Sequence, residues 1–371
     1  MTISAPTDLA VVGAGIVGLA HAVAATERGL RVTVLERDQR AVGASLRNFG
    51  HVCTTAQTGT ALEYAWEARD HWLRLGEKAS FPVAECGTVV VARSAAELAV
   101  LEEFAAERGE DQVRLLDASG VGSVVPGLAT GVLGGAHLRL DLRVDPRVAV
   151  PALTRWLEKE GVDIRWGAHV GAIEPGLVRT SQGDLRASRI VHATGHDLDR
   201  LFPAVAAEHE VRRCRLHMFE VAPPGGVRID PAVLTGTAML RYGGLASCPS
   251  AAAVRAELVE RTPELLDVEM NLMLTQRPDG AIVLGDTHHY ERTSTPFEDE
   301  AVSALVLREA GRLFGAELAV LRRWRGVYAH SPSTDFVTAS PEPGVRVVSV
   351  TSGIGMTTAF GLAQAVIDQL F

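Results

Sequence analysis

Leu9-Ala10-Val11-Val12-Gly13-Ala14-Gly15-Ile16-Val17-Gly18 is the stretch on which the reading of this chain turns. A short apolar run enters a Gly-x-Gly-x-x-Gly pattern, and a helix is predicted to open near Ile16. A second apolar run, Val32-Thr33-Val34-Leu35, ends at Glu36, roughly twenty residues beyond the glycines, where an acidic acceptor follows such a pattern. Gly13 permits the tight turn out of the strand, Gly15 lets the backbone approach a pyrophosphate, and Gly18 lets helix and strand pack closely. The helix start, Ile16 and Val17 included, offers N–H groups and the positive end of its dipole to phosphate. Glu36, followed by Arg37, stands where a carboxylate would accept from the hydroxyls of an adenosine ribose.

With 371 residues, 47% of them hydrophobic, the chain can bury a large core and is expected to form two domains. A net charge of -9 argues against nucleic acid or an anionic membrane as a partner, since both are bound through clustered positive charge. No apolar run is long enough to cross a bilayer, and the N-terminal residues lead directly into the first strand, so the expected location is cytoplasmic. Cys53, Cys86, Cys214 and Cys248 are scattered without a CxxC pair and read as buried free thiols. His288-His289 is a poor metal pair, because neighbours on a strand face opposite sides, and no metal is expected. The lysines are Lys78 and Lys159, each in a polar helical stretch, which argues against lysine-based chemistry.

The spacing predicts a βαβ unit over residues 8–36, a Gly/Ser/Asn-rich loop over 42–50, a helix over 59–76, a strand over 86–92 and a helix over 95–108. Asp145-Pro146 opens a helix to about residue 159, followed by strands at 161–166, 170–173 and 189–193. Beyond Cys214, strand-like runs at 216–221, 238–242, 269–274 and 281–284 imply a mostly antiparallel sheet. The last segment returns to the pattern of the N-terminal part, with a strand at 345–350, a glycine turn over 351–358 and a helix over 359–371. A single N-terminal βαβ unit finished by a strand–Gly–helix element at the far end of the chain suits a flavin dinucleotide that reaches into a second domain.

The chain resembles the FAD-dependent amine oxidases of the D-amino acid oxidase group, which includes glycine oxidase and monomeric sarcosine oxidase. The likeness covers nearly its full length and rests on residues 11–18, Glu36-Arg37, Gly43-Ala44-Ser45, residues 191–195 and Ser352-Gly353-Ile354-Gly355-Met356. Within the group it is most similar to a bacterial subfamily found alongside aminophosphonate breakdown genes, through residues 43–52, 324–328 and 350–357. The resemblance implies an α/β fold in which a Rossmann-like FAD-binding domain (residues 1–80, 140–210 and 325–371) is interleaved with a mainly antiparallel-sheet substrate domain (81–139 and 211–324).

It also implies roles for residues. Gly43, Ala44 and Ser45 would lie over the pyrophosphate, with Asn48, Phe49, Gly50 and His51 continuing beneath the flavin ring. Val170 would meet the adenine, and Thr194 and Gly195 would line the cofactor. Gly353, Ile354, Gly355, Met356 and Thr357 would point amides at the pyrimidine edge of the flavin, where reduction places negative charge. In glycine oxidase-like relatives a Gly-Leu-Arg-Pro stretch supplies a carboxylate-clamping arginine; here it reads Gly326-Val327-Tyr328-Ala329, so Tyr328 takes that place. Val327 stands where sarcosine oxidase carries a flavin-linked cysteine, so FAD is expected to be noncovalent. Arg241, beside Tyr242 on an expected strand, is the candidate for the substrate's anionic end, with His51 and His288 as further substrate-facing groups.

The implied activity is oxidation of the C–N bond of a small acidic amine, of the 2-aminoethylphosphonate type or an N-methylated or hydroxylated relative. Hydride passes to flavin N5, an imine is hydrolysed, and dioxygen or another acceptor is reduced. An oxidase of a D-amino acid, glycine or sarcosine is the alternative. An NAD-dependent dehydrogenase, which would not need the C-terminal glycine turn, and a noncatalytic FAD-binding module are remoter readings.

Overall fold

The computed structural model describes residues 7–371. Strand Thr7–Val12, helix Ile16–Glu27 and strand Val32–Glu36 form the expected βαβ unit, its strands parallel with Leu9 opposite Val32 and Val12 opposite Leu35. Strand Gly183–His192 lies parallel on the other side of Thr7–Val12, with Val345–Val350 parallel beyond it. Asp163–Trp166 runs parallel to Val32–Glu36. An antiparallel meander, Val170–Glu174 and Leu177–Thr180, feeds into Gly183–His192, and Phe336–Ala339 returns along Val345–Val350, which completes an eight-stranded sheet.

Both faces of this sheet are covered, which is why its central strands are apolar at nearly every position. Leu9, Val11, Val32 and Val34 pack with helices Ile16–Glu27, Gly59–Lys78, Pro146–Lys159 and Gly355–Leu370, through Leu19, Val23, Trp72, Leu153 and Phe360. Ala10, Val12 and Leu35 face the meander, through Val170, Val178 and Leu185. Trp72 is fully buried and its indole N–H donates to the Met356 carbonyl at 2.7 Å, so the terminal helix and Gly59–Lys78 are locked together without an unpaired polar atom.

A second, nine-stranded sheet runs in the order His289–Glu291, Arg212–Val221, Ile282–Gly285, Met273–Gln276, Ala232–Leu234, Thr88–Ala92, Gly134–Leu138, Val113–Asp117, with Val320–His330 also pairing along Arg212–Val221. Its pairs are antiparallel except Ala232–Leu234 with Thr88–Ala92. A small sheet of His51–Val52, Leu142–Val144 and Val83–Ala84 stands apart. No helix among the described residues is long and apolar enough to cross a membrane.

Two expected strands differ. Residues 238–242 form the end of helix Gly236–Met239 and a turn, and within 269–274 only Met273 onward is strand. Ala238 and Met239 are both fully buried, so the in–out alternation of a half-exposed strand is lacking. The backbone of Leu272 is satisfied by side chains rather than a ladder, its carbonyl accepting from Thr235 Oγ1 at 2.8 Å and its N–H donating to Thr237 Oγ1 at 3.0 Å. The terminal helix also begins one turn earlier than expected, at Gly355.

Candidate functional site

A cavity of about 880 Å³ is lined from both sheets and takes in both glycine turns. At one end lie Gly13, Gly15, Ile16, Val17, Glu36, Arg37, Gly43, Ala44, Ser45, Val170, Thr194 and Gly195. Gly13 has φ +108°, and a Cβ there would come within 2.6 Å of the Ala193 carbonyl oxygen of the adjacent strand. A Cβ on Gly18 would strike the carbonyl of Gly13 itself, whereas Gly15 meets only Ser45 Oγ, at 3.1 Å, and leaves its other side to the cavity. The three glycines thus divide into two that let backbones touch and one that leaves room. Glu36 Oε2 accepts from Ala14 N–H at 2.8 Å and Oε1 from Asp38 N–H at 3.1 Å, which fixes the carboxylate at the strand end. Ser45 Oγ accepts from Ile16 N–H at 2.8 Å and so caps the helix from outside. Arg37 pairs with Asp197 at 2.8 Å.

At the other end the turn after Val345–Val350 carries Gly353, with φ +79°, into the first turn of Gly355–Leu370; Ile354, Gly355 and Met356 line the cavity there. A Cβ on Gly353 would sit 3.1 and 3.3 Å from carbons of the Tyr328 ring. Tyr328 reaches this turn from Val320–His330 of the second sheet, held in register by Cys214 opposite. Its hydroxyl accepts from Arg241 Nη2 at 2.5 Å, while Arg241 Nη1 donates to Tyr290 Oη at 3.3 Å and Tyr290 donates to Glu269 Oε2 at 3.0 Å. Arg241 comes from the turn between helices Gly236–Met239 and Gly243–Ala246, not from a strand. Tyr242 also lines the cavity, its hydroxyl donating to Met273 Sδ at 3.5 Å.

Asp286 and His288 follow strand Ile282–Gly285 and are zipped to residues 268–271. Asp286 and Asn271 exchange two backbone bonds of 2.9 Å, and Asn271 Nδ2 donates to Asp286 Oδ1 at 3.0 Å. His288 N–H donates to the Val268 carbonyl at 3.0 Å, and His288 Nδ1 donates to the Glu269 carbonyl at 2.8 Å. The fold therefore brings Arg241, Tyr242, His288 and Tyr328 together, as the sequence suggests, and adds Asn271, Asp286, Tyr290 and His330, which it does not. The available signal is the polar run Asp286-Thr287-His288 directly after a buried strand, of which only the histidine attracts attention in the sequence.

Burial opposes the charge of Arg241, but Tyr328, Tyr290 and Asp286 outweigh it and hold its pKa above the ordinary value. Burial raises both tyrosines, Tyr290 to about 12, so their hydroxyls stay protonated. Asp286 is pushed up to about 7 by burial, against the pull of Arg241 and Asn271. Burial and then Arg241 hold His288 well below its usual value, and His330 below it, so both rings are neutral at pH 7.

Some expected site residues lie elsewhere. His51 is buried, its Nε2 2.6 Å from Thr88 Oγ1 and its ring 6.4 Å from that of Tyr242; Tyr242 and not His51 lines the cavity. Antiparallel pairing of His51 with Arg143 turns the imidazole into the core, where it joins Cys53 and Asp141 in a buried cluster with donor atoms within 4.8 Å of one another. Gly50 packs where a side chain would strike the Val144 carbonyl, and Thr357 Oγ1 accepts from Cys53 N–H at 3.2 Å behind the cavity wall. Gly18 acts under the turn rather than on the cavity. Asn48 and Phe49 do line it, with Asn48 Oδ1 accepting from Gly50 N–H at 2.7 Å. Lys78 and Lys159 are exposed at helix ends, and no lysine or cysteine is among the residues lining the cavity.

A dinucleotide turn, an acidic residue closing the second strand and a second glycine turn facing one cavity define a site for a dinucleotide cofactor. Residues 8–369 match the family described as FAD dependent oxidoreductase, and the chain belongs to it. An opine oxidase subunit of Rhizobium meliloti is 24% identical over 96% of this chain and 92% of its own. Glycine oxidase of Bacillus cereus ATCC 14579 superposes with a TM-score of 0.79 at 18% identity, over 98% of this chain and 94% of its own. Iminodiacetate oxidase of Chelativorans sp. BNC1 does so with a TM-score of 0.76 at 18% identity, over 97% and 95%. FAD is thus the cofactor. The open side of Gly15, the fixed Glu36 carboxylate and a cavity that reaches both helix N-termini fit it.

Proposed function

We propose that this chain oxidises the C–N bond of a small aliphatic amine bearing an acidic group, of the 2-aminoethylphosphonate type and including its N-methyl and hydroxylated forms. The observation that carries this reading is Arg241: a half-buried guanidinium on the cavity wall, whose hydrogen-bond partners among the described residues are two tyrosine hydroxyls. A cation with unused N–H donors is poised for an anion, and a tetrahedral oxyanion accepts several charge-assisted hydrogen bonds at once. The position opposite Cys214 is Tyr328 rather than an arginine, so the anionic end would be met by a guanidinium from a different segment than in glycine oxidase-like relatives. That relatives are named for opine and iminodiacetate oxidation supports an amine with acidic substituents.

When bound, FAD accepts hydride at N5. The residues proposed to hold it are those of the two glycine turns, with Glu36 and Arg37 at the ribose, Gly43, Ala44 and Ser45 at the pyrophosphate, Asn48 and Phe49 near the ring, Val170 at the adenine, and Thr194 and Gly195 alongside. Gly353, Ile354 and Gly355 at the start of the terminal helix would stabilise negative charge at the pyrimidine edge. Val327 carries no thiol, so FAD is held without a covalent bond. Substrate binding would rest on Arg241 with Tyr328 and Tyr290. Dioxygen or another acceptor takes the electrons, giving hydrogen peroxide in the first case. The unpaired cysteines fit a reducing, cytoplasmic compartment.

Anaerobic bleaching of the flavin tests this. 2-Aminoethylphosphonate or its N-methyl form should reduce the flavin with higher kcat/KM than glycine, sarcosine or D-alanine. A preference for glycine or sarcosine overturns the phosphonate reading in favour of an amino acid oxidase, and bleaching by no amine overturns the oxidase reading.

A further inference from the structure

Asp286 and His288 make an arrangement that the chain does not complete. His288 Nδ1 bonds to the Glu269 carbonyl, and a carbonyl oxygen only accepts, so the imidazole proton sits on Nδ1 and Nε2 carries a lone pair. That lone pair faces Asp286 Oδ2 at 3.8 Å, too far for a hydrogen bond between them. Asp286 Oδ1 already takes the Asn271 amide, while Oδ2 has no hydrogen-bond donor among the described residues. Two acceptor atoms, on side chains 6% and 2% exposed, therefore lie 3.8 Å apart on residues that line the cavity. A protonated amine there supplies N–H donors and a compensating charge together.

Arg241 stands on the same part of the wall, joined through Tyr290, whose ring stacks on His288 with centroids 6.4 Å apart. It is not paired with Asp286 in an ion pair; each charge is left to the cavity. Opposite charges held apart in one cavity match a molecule that carries an anion at one end and an ammonium at the other.

We propose that Asp286 and His288 bind the substrate's ammonium group and that Asp286 Oδ2 is the proton acceptor that converts it to the neutral amine. This rests on the amine-oxidising reading above. The nitrogen–proton bond breaks, its electron pair remains on nitrogen as the lone pair, and the proton forms an O–H bond on Asp286; ammonium and carboxylate both become neutral. The lone pair then allows the adjacent carbon to release hydride. Neutralisation of two charges suits a site that burial has removed from water.

The titratable and charged groups facing Asp286 are Arg241 and Tyr242 from the turn between the short helices, Cys214 from Arg212–Val221 and His288 from its own segment, with Glu269 engaged by Tyr290. Burial raises Tyr242 well above its usual value and Cys214 to about 12, and keeps His288 neutral, so near pH 7 Asp286 is the group among them that changes charge. A carboxyl at about 7 is matched to accepting a proton near neutral pH.

The test is the pH dependence of anaerobic flavin reduction in the FAD-loaded protein, from about pH 6 to 10, with 2-aminoethylphosphonate and with propylamine. For the wild-type protein the rate constant per molar substrate should fall with acid through about pH 7, where Asp286 takes up its proton. Asp286→Asn keeps an oxygen for the Asn271 amide and should lose on the order of 10²–10³-fold at neutral pH. The loss should shrink tenfold per pH unit as free amine appears in solution, towards the amine's own pKa of roughly 10. Asn271→Ala, which removes a hydrogen bond to the charged form, should move the acid limb up by about one unit while FAD stays bound. A loss that is the same at every pH, or an acid limb that neither variant moves, overturns the proposal. Bleaching of the wild-type flavin by neither amine overturns the oxidase reading instead, so the two failures are distinct.

Discussion

Arg241→Met separates recognition of charge from every other role of this cavity wall. Methionine keeps the stem length and apolar volume, so the turn between Gly236–Met239 and Gly243–Ala246 has little reason to move. The substitution removes the donors to Tyr328 at 2.5 Å and Tyr290 at 3.3 Å; both hydroxyls can still act as donors, Tyr290 to Glu269. What is lost is the set of N–H groups that bind the substrate's anion. Each hydrogen bond to a charged group contributes about 1.5–3 kcal/mol, and a bidentate pair therefore ~3–6 kcal/mol, or roughly 10²–10⁴-fold in kcat/KM at 1.4 kcal/mol per decade. An amine of similar length that lacks the acidic group makes no such contact and should change less than about threefold. Removing Arg241 also raises Asp286 further, since the guanidinium pulls its pKa down. The comparison therefore belongs near pH 9, about two units above Asp286 in the wild-type protein. Stopped-flow flavin reduction with 2-aminoethylphosphonate and propylamine supplies both numbers. Equal losses for the two amines would refute the assignment of Arg241 to the anion.

Two further expectations concern the scaffold. Glu36→Ala should lower FAD affinity by about one to two decades, since a charge-assisted bond contributes about 1.5–3 kcal/mol. Fluorescence titration of the stripped protein measures it, and unchanged affinity removes Glu36 from the ribose. His21 is fully buried and burial lowers its pKa to about 4, against the pull of the Val17 carbonyl. A base whose folded pKa lies below its unfolded value binds more protons when unfolded, so stability falls as pH drops from about 6.5 towards 4, by ~3 kcal/mol for this group. His21→Leu should flatten the dependence of Tm on pH in that window, and an unaltered slope contradicts the argument.

The parallel half of the molecule was legible because its elements are local: Gly13, Gly15 and Gly18 each have a steric reason that a sequence pattern already encodes, and helix Pro146–Lys159 carries its own Asp145 cap, bonded to Arg147 N–H at 2.9 Å. The second sheet was harder. Residues 238–240 look like strand because they are apolar, yet Ala238 and Met239 are both fully buried, and consecutive burial erases the periodicity that separates strand from helix. His51 was misplaced for a related reason. Strand period decides which face a side chain takes, and a pairing of only two residues with Leu142–Val144, itself dictated by distant sequence, turned it into the core. Asn271 lies in one segment and Asp286 and Tyr290 in another, and they meet through the zip of residues 268–271 onto 286–288, which no local pattern announces.

Tyr328 shows how one frame can present a different side chain to the cavity without rearranging. The strand Val320–His330 pairs with Arg212–Val221 over its whole length and delivers position 328 to the glycine turn whatever its side chain. A tyrosine there lays its ring against Gly353, so close that a β-carbon at 353 would press within 3.1 Å of it, and the glycine is needed for this packing as well as for its φ of +79°. The ring fills space at the turn but brings no charge. The cation proposed to meet the substrate is Arg241, on a turn outside the ladder, and Tyr328 accepts its hydrogen bond. On the proposed reading, recognition would be split between a rigid strand that sets position and a turn that sets charge. Because Arg241 carries no strand pairing, its loss should remove selectivity for acidic amines while the two sheets and the FAD cradle stay intact.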